Sequence, residues 1–331
     1  MLPSPSLFDR LFGKKRPAWL ILLVSVLLLL LPFGIAFLDG VLSDVLQKGH
    51  WRVLFLSPAI ILYIWLVSPL ISRVGSDVIC AIQPYTSLDG ESFASVLKAA
   101  SFIHPLHEVL VFFTGVILGL FSAQAAGFDQ NAPLLRIYWF VSTGLMYGIL
   151  FWTIFVSVAS MRVNAALHRQ PPKIDIFDQS PFEAIGRQSL LLALVFVGGI
   201  TISILFSIQM DSLFSLEVWL VYLVLILVTV LIFFLRMYPT HKVLAQAKKS
   251  ELDLVKKHIY KTFRDLLKQS DENQPLGDLS TQISNLALYE QRLQAMPTWP
   301  YNTSMLRTLF FSVLFPLLTA LVRKVSEALF Q

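Results

Sequence analysis

The sequence predicts an all-α fold, a polytopic transmembrane helical bundle, on three observations. Of 331 residues, 56% are hydrophobic and 14% charged, and the mean hydropathy is +0.68, well outside the range of soluble domains. Six apolar runs, 18–38, 53–72, 109–127, 137–160, 189–210 and 218–235, each have about the length that crosses a hydrocarbon core of roughly 30 Å. None of them contains Asp, Glu, Lys, Arg or His, so no buried charge opposes insertion. With the N-terminus inside, the N-terminal flank and short inner loops hold 10 Lys and Arg against three in the outer loops. That asymmetry orients the bundle.

The elements follow in order. Residues 1–17 include "SLFDRLF", a short amphipathic segment, and Lys14, Lys15 and Arg16. The first run is too long for the core of a secretory signal, and "AFLDG" is no small-residue cleavage site, so it reads as an uncleaved anchor. Six spans pair as three hairpins, 18–72, 109–160 and 189–235, within a membrane domain of residues 18–238. Trp51, Tyr138, Trp139 and Trp219 fall at the outer boundary, and Trp19 and Tyr238 at the inner one, as an interfacial belt. Trp65 and Trp152 lie deeper and are expected to face neighbouring helices. Between the first two hairpins, Phe93, Val96, Leu97 and Ala100 share one helical face behind an Asp89 cap. Such a helix lies on the inner leaflet or under the bundle.

Beyond the sixth span Pro239 is read as interrupting the helix, and residues 239–304 turn polar. Leu252, Val255, Ile259, Phe263 and Leu266 make one narrow stripe, and Leu279, Ile283, Leu286 and Leu293 make another. The simple solution is an antiparallel helical hairpin in the cytoplasm. Its surface, residues 240–295, is a candidate docking site for a protein partner. Residues 305–331 are expected to form a membrane-associated helix that is interfacial or re-entrant. Its apolar core is only fifteen residues, Pro316 interrupts it, and Arg323 and Lys324 follow. Asn302 can cap its start, and on this topology the "NTS" there faces the cytoplasm.

Candidate sites are few. "QPPKIDIFDQSPFEAIGR" carries Asp175, Asp178 and Glu183, but Ser180, Pro181 and Glu183 spell a capping box with proline at the first helical position. Those carboxylates therefore start a helix and steer the chain. "IHPLHEV" sets His104, His107 and Glu108 on one helical turn, a spacing metal sites use. The second histidine of a zincin H-E-x-x-H is missing, and Pro105 with Glu108 in the first turn again reads as a helix start. Gly115 with Gly119, Gly144 with Gly148, and Ser203 with Ser207 have the small-xxx-small spacing of closely packed membrane helices. They serve a hairpin or a homo-oligomer face.

Other chemistries fail on inventory. Six scattered histidines cannot build a di-iron desaturase cluster, and no span carries a histidine for haem or a Ser/His dyad. No phosphate-binding GxxxxGK[ST] loop occurs. Cys80 is the single cysteine and says nothing of redox compartment. The basic balance is explained by topology and anionic lipid rather than by nucleic acid.

"PPKIDIFDQSPFEAIGR" and "PTWPYNTSMLRTLFFSVLFPLL" resemble segments of an uncharacterised family of bacterial multi-pass membrane proteins. The resemblance covers about forty residues and implies a bacterial cytoplasmic membrane, with no activity or cofactor attached. The favoured function is a non-enzymatic assembly or signal-transmitting component acting through the cytoplasmic hairpin. The alternatives are a transporter or channel subunit for an apolar or small solute, and a metal-dependent membrane enzyme using His104, His107 and Glu108.

Overall fold

The computed structural model describes residues 7, 10, 17–47, 50–85, 89–126, 132–168, 180–206, 216–271 and 277–329. Asp175, Asp178, Ser207 and most of the N-terminal segment lie outside the described residues, as do the side chains of Ser180, Pro181 and Trp219. All regular structure among the described residues is helical. The helices are α1 (Ala18–Leu38), α2 (Leu42–Gln47), α3 (Trp51–Ile82), α4 (Gly90–Ser101), α5 (Pro105–Ala126), α6 (Pro133–His168), α7 (Ser180–Leu205), α8 (Leu216–Asp271), α9 (Gly277–Ala295) and α10 (Thr303–Leu329). Six of them, α1, α3, α5, α6, α7 and α8, contain a stretch long and apolar enough to cross a membrane.

The distribution of polarity is the one lipid selects. Leu22, Leu27 and Leu30 of α1, and Phe113, Ile117 and Phe121 of α5, are exposed, while Ser57, Ser68, Thr143, Gln188, Ser189 and Thr229 are buried between helices. Apolar surface on this scale has no place in water. Without a hydrophobic drive between helices, close packing must hold the bundle. The tightest pair is α5 against α6, which run antiparallel. A Cβ at Gly115 would lie 2.6 Å from the Tyr147 carbonyl oxygen, and one at Gly119 would lie 2.9 Å from Gly144 Cα. The two glycine rows therefore face each other within one chain.

Asp39 ties the ends of α1 and α6 together. Its Oδ2 accepts the Leu135 amide at 2.7 Å, in the first turn of α6. Such a carboxylate satisfies an orphan amide and meets the positive end of the helix dipole. Gly40 makes the turn possible, since its φ of +70° is the left-handed region a helix end favours for glycine.

Three expectations need correction. Tyr138 and Trp139 do not form a lipid-facing belt; both are buried, packed in one core with Ala36, Leu54 and Ala123. The Trp139 indole N–H donates to the Ala123 carbonyl at 3.2 Å, which satisfies its polar edge without the interface.

Secondly, Pro239 does not interrupt the helix: α8 continues through it for 56 residues. A proline removes one backbone bond at a cost of about 3 kcal/mol. Here Met237 and Thr240 are fully buried on either side, so tertiary packing holds the axis. The boundary expected between membrane domain and hairpin falls inside one helix.

Thirdly, α10 is neither broken nor turned back at Pro316. It is continuous for 27 residues, about 40 Å at 1.5 Å per residue. Its start abuts Gly186 near the beginning of α7, and Phe315, Leu318 and Val322 line one groove with Leu205 and Phe206 at the end of α7. It therefore runs parallel to α7 along its length. Among the described residues its apolar part, Thr303–Thr319, still falls short of a span's length, and the following turns lengthen the helix beyond it.

Gly115→Ala should lower stability by about 1–3 kcal/mol, because the new methyl meets backbone rather than a movable side chain. Gly199, with nothing within 4 Å of a Cβ, is the control: Gly199→Ala should be neutral or raise stability by up to about 1 kcal/mol. Thermal unfolding of both variants in detergent reads the difference.

Candidate functional site

Three places gather polar or aromatic side chains. The first is the start of α5. Glu108 sits in its first turn but points inward and is 1% exposed. Its Oε2 accepts the Trp152 indole N–H at 2.8 Å, and its Oε1 accepts the Leu7 amide at 3.2 Å. Glu108 thus joins α5, α6 and the N-terminal segment. His104 and His107 point elsewhere: both are exposed, with rings edge to face at 5.7 Å, and His104 Nδ1 accepts the Leu106 amide at 3.3 Å. The three residues share a turn without sharing a direction. Among the described residues no group of three His, Cys, Asp or Glu side chains is arranged to hold a metal.

Reading the sequence missed the role of Glu108, although a signal was there. A tryptophan deep in a span needs an acceptor for its N–H, and Glu108 is the carboxylate nearest the spans on that side.

The second place is a junction beneath the bundle. The end of α3 brings Val78 and Ile82, α4 brings Phe93 and Leu97, and α7 brings Phe182 and Ile185. They meet Phe233 and Met237 of α8 and Leu309 of α10 in one core. So α4, read as surface-lying or under the bundle, is packed under it. The linker 296–302 closes this core with Trp299 and Tyr301. At Gly186 a Cβ would collide with the Pro300 carbonyl oxygen and lie 3.1 Å from the Met305 sulfur. Gly186 and the stretch 300–305, parts of the two segments that carry the sequence resemblance, therefore pack on each other. Glu183, in the first turn of α7, is 3.4 Å from Arg187 in an exposed i, i+4 pair. Asn302 Oδ1 accepts the Met305 amide at 2.9 Å and caps α10.

The third place is the pair formed by α8 beyond Pro239 and α9, which run antiparallel as a stalk. Its base is clamped. The His241 ring stacks on Trp299, with centroids 4.1 Å apart and planes at 10°, and its Nδ1 is 3.2 Å from the Thr298 carbonyl oxygen. A carbonyl only accepts, so that bond keeps the proton on Nδ1. Lys248 Nζ donates to the Gln294 and Met296 carbonyls, each at 2.7 Å, satisfying orphan acceptors at the end of α9. Val255 and Leu293 are buried against Leu252 and Ile259.

Further out, Ile259, Leu266, Ile283 and Leu286 stay half-buried along the seam, and apolar surface is exposed beside it. Tyr260 is 60% exposed, and Phe263, Leu267 and Leu288 are about half exposed. Arg264 donates to the Tyr260 hydroxyl at 2.7 Å and lies over its ring at 4.7 Å. Elsewhere, Ser203 Oγ is 3.2 Å from the Tyr222 hydroxyl and so links α7 to α8.

No known protein family, characterised protein or solved structure matches this chain.

Glu108→Ala should cost about 1–3 kcal/mol by leaving the buried Trp152 N–H unpaired. His104→Ala and His107→Ala should each stay within about 0.5 kcal/mol, the usual range for exposed positions. Denaturation midpoints of the three variants test this. Elemental analysis of the purified wild type should find no stoichiometric zinc, iron or manganese.

Proposed function

We propose that this chain is a non-enzymatic membrane component that assembles or transmits by binding a protein partner on its cytoplasmic stalk. Six apolar helices are consistent with a multi-pass membrane protein. The N-terminus and stalk are assigned to the cytoplasm on the excess of inner Lys and Arg, and the membrane to a bacterial one on the resemblance.

The observation that carries the reading is the apolar surface left exposed beside the seam of the stalk. Val255 and Leu293 close its base, while Tyr260, Phe263, Leu267 and Leu288 stay exposed. From Ala245 to Asp271 the helix runs on for about 40 Å beyond Leu244, the last of its residues in the junction core. Lys256, Lys257, Lys261 and Arg264 lie along the same stretch. The surface suits an amphipathic partner with an apolar face and acidic flanks. A photocrosslinking residue at Phe263 should capture one protein stoichiometrically in native membranes, and Lys257→Glu with Lys261→Glu should cut the yield several-fold. Capture of lipid alone, or of nothing, overturns the reading. Capture of a second copy of the chain makes the stalk a homo-oligomer contact instead.

The same proposal takes α10 as a seventh crossing, parallel to α7, with Gln331 on the face opposite the stalk. Its support is the continuous path from Gly186 to Phe206. A compartment-sensitive reporter after Gln331 should show the outside state, and one inserted between α8 and α9 the inside state. Like states at both sites would return α10 to the membrane surface.

A further inference from the structure

At the outer end of the bundle, α10 stands away from α3 and α7 and leaves a lateral groove of about 650 Å³. That volume is within the roughly 300–1,000 Å³ of small-ligand sites. Phe315, Leu318 and Val322 form one wall and Leu205 and Phe206 another, so its lining is almost wholly apolar. Trp51 and Arg52 form the rim, with the Arg52 guanidinium over the Trp51 ring at 5.6 Å.

Thr319 and Ser326 are the polar residues of the α10 wall, and Arg52 is the cation of the lining. From Phe315 to Ser326 the wall is twelve residues long, about 18 Å of helix. An apolar slot with a cation, Arg52, at its rim matches an amphiphile that carries an anionic head. In a bundle whose surrounding solvent is lipid, that amphiphile is a membrane phospholipid.

We infer that this groove is a binding site for one anionic phospholipid, with an acyl chain against Phe315, Leu318 and Val322 and its phosphate at Arg52. Arginine suits phosphate because its planar fork donates two parallel bonds. Trp51 places that head at the depth where indole rings prefer to sit. The inference rests on α10 crossing the membrane, and it is independent of any partner on the stalk.

Native mass spectrometry of the full chain reads the site directly. The protein in detergent is equilibrated with equimolar phosphatidylglycerol and phosphatidylcholine. Wild type should retain one phosphatidylglycerol with about a tenfold preference, the worth of one charge-assisted hydrogen bond. Arg52→Gln should still retain a lipid and should lose the preference. Leu318→Trp fills the groove and should abolish retention. Leu318 is 54% exposed, so the larger ring displaces nothing buried. Phe311→Trp, on an exposed position of α10 outside the lining, should bind as wild type and controls for folding.

Equal retention of the two lipids by wild type, or unchanged retention in Leu318→Trp, overturns the inference. So does a lipid-free dimer in the same spectra, which would make the groove an interface between copies. The reporter fusion after Gln331 reads the path of α10 separately, so failure of the lipid site is distinguishable from failure of the crossing.

Discussion

The Pro300 carbonyl oxygen occupies the space that a side chain at position 186 would need, and much of the fold follows from that approach. Only glycine lets the linker 296–302 lie directly on α7. Trp299 and Tyr301 then reach Phe233 and Phe234 of α8, with Phe234 and Trp299 edge to face at 6.1 Å. The Asn302 cap starts α10 at the foot of α7, so the last helix can only run up beside it. The same linker receives His241 from α8, which fixes how the stalk leaves the bundle. Membrane packing, stalk and terminal helix are thus coupled through one junction.

Above that junction the bundle is held by fit rather than by exclusion of water. Glycine rows bring α5 and α6 into backbone contact, and hydroxyls such as Ser203 and Tyr222 pair across helices. At the junction itself, α3, α4, α7 and α8 bury large apolar side chains in one core. Two packing regimes meet within single long helices. At the start of α5, Glu108 can be buried because an indole and an amide converge on its carboxylate.

The stalk divides the same way. Its base has aromatic stacking, a lysine across the end of α9 and a closed apolar pair. Its outer half keeps Ile259, Leu266, Ile283 and Leu286 half-buried along the seam and leaves Tyr260, Phe263, Leu267 and Leu288 exposed beside it. A surface that is rigidly mounted and half covered suits docking, since little ordering entropy remains to be lost on association. The lipid-facing groove is built on the opposite principle, an apolar slot whose natural filler is the surrounding solvent itself.

The sequence by itself determined the membrane class, the positions of the six apolar helices, the amphipathic α4 and the two stripes of the stalk. Each rests on local composition or on a period of 3.6 residues, which neighbours cannot alter. Asn302 as a cap was legible for the same reason, since its partner is three residues away. Pro239 and Pro316 were misread because local rules count only the lost backbone bond, and burial of Met237, Thr240 and Pro316 outweighs it. Tyr138 and Trp139 were misread because the belt rule sees depth but not which side of a helix is crowded. Only the tertiary structure decided that Glu108 turns away from His104 and His107, that Asp39 caps α6 across 96 residues, and that α10 follows α7. Those outcomes depend on contacts between residues far apart in the chain, and no local pattern records them.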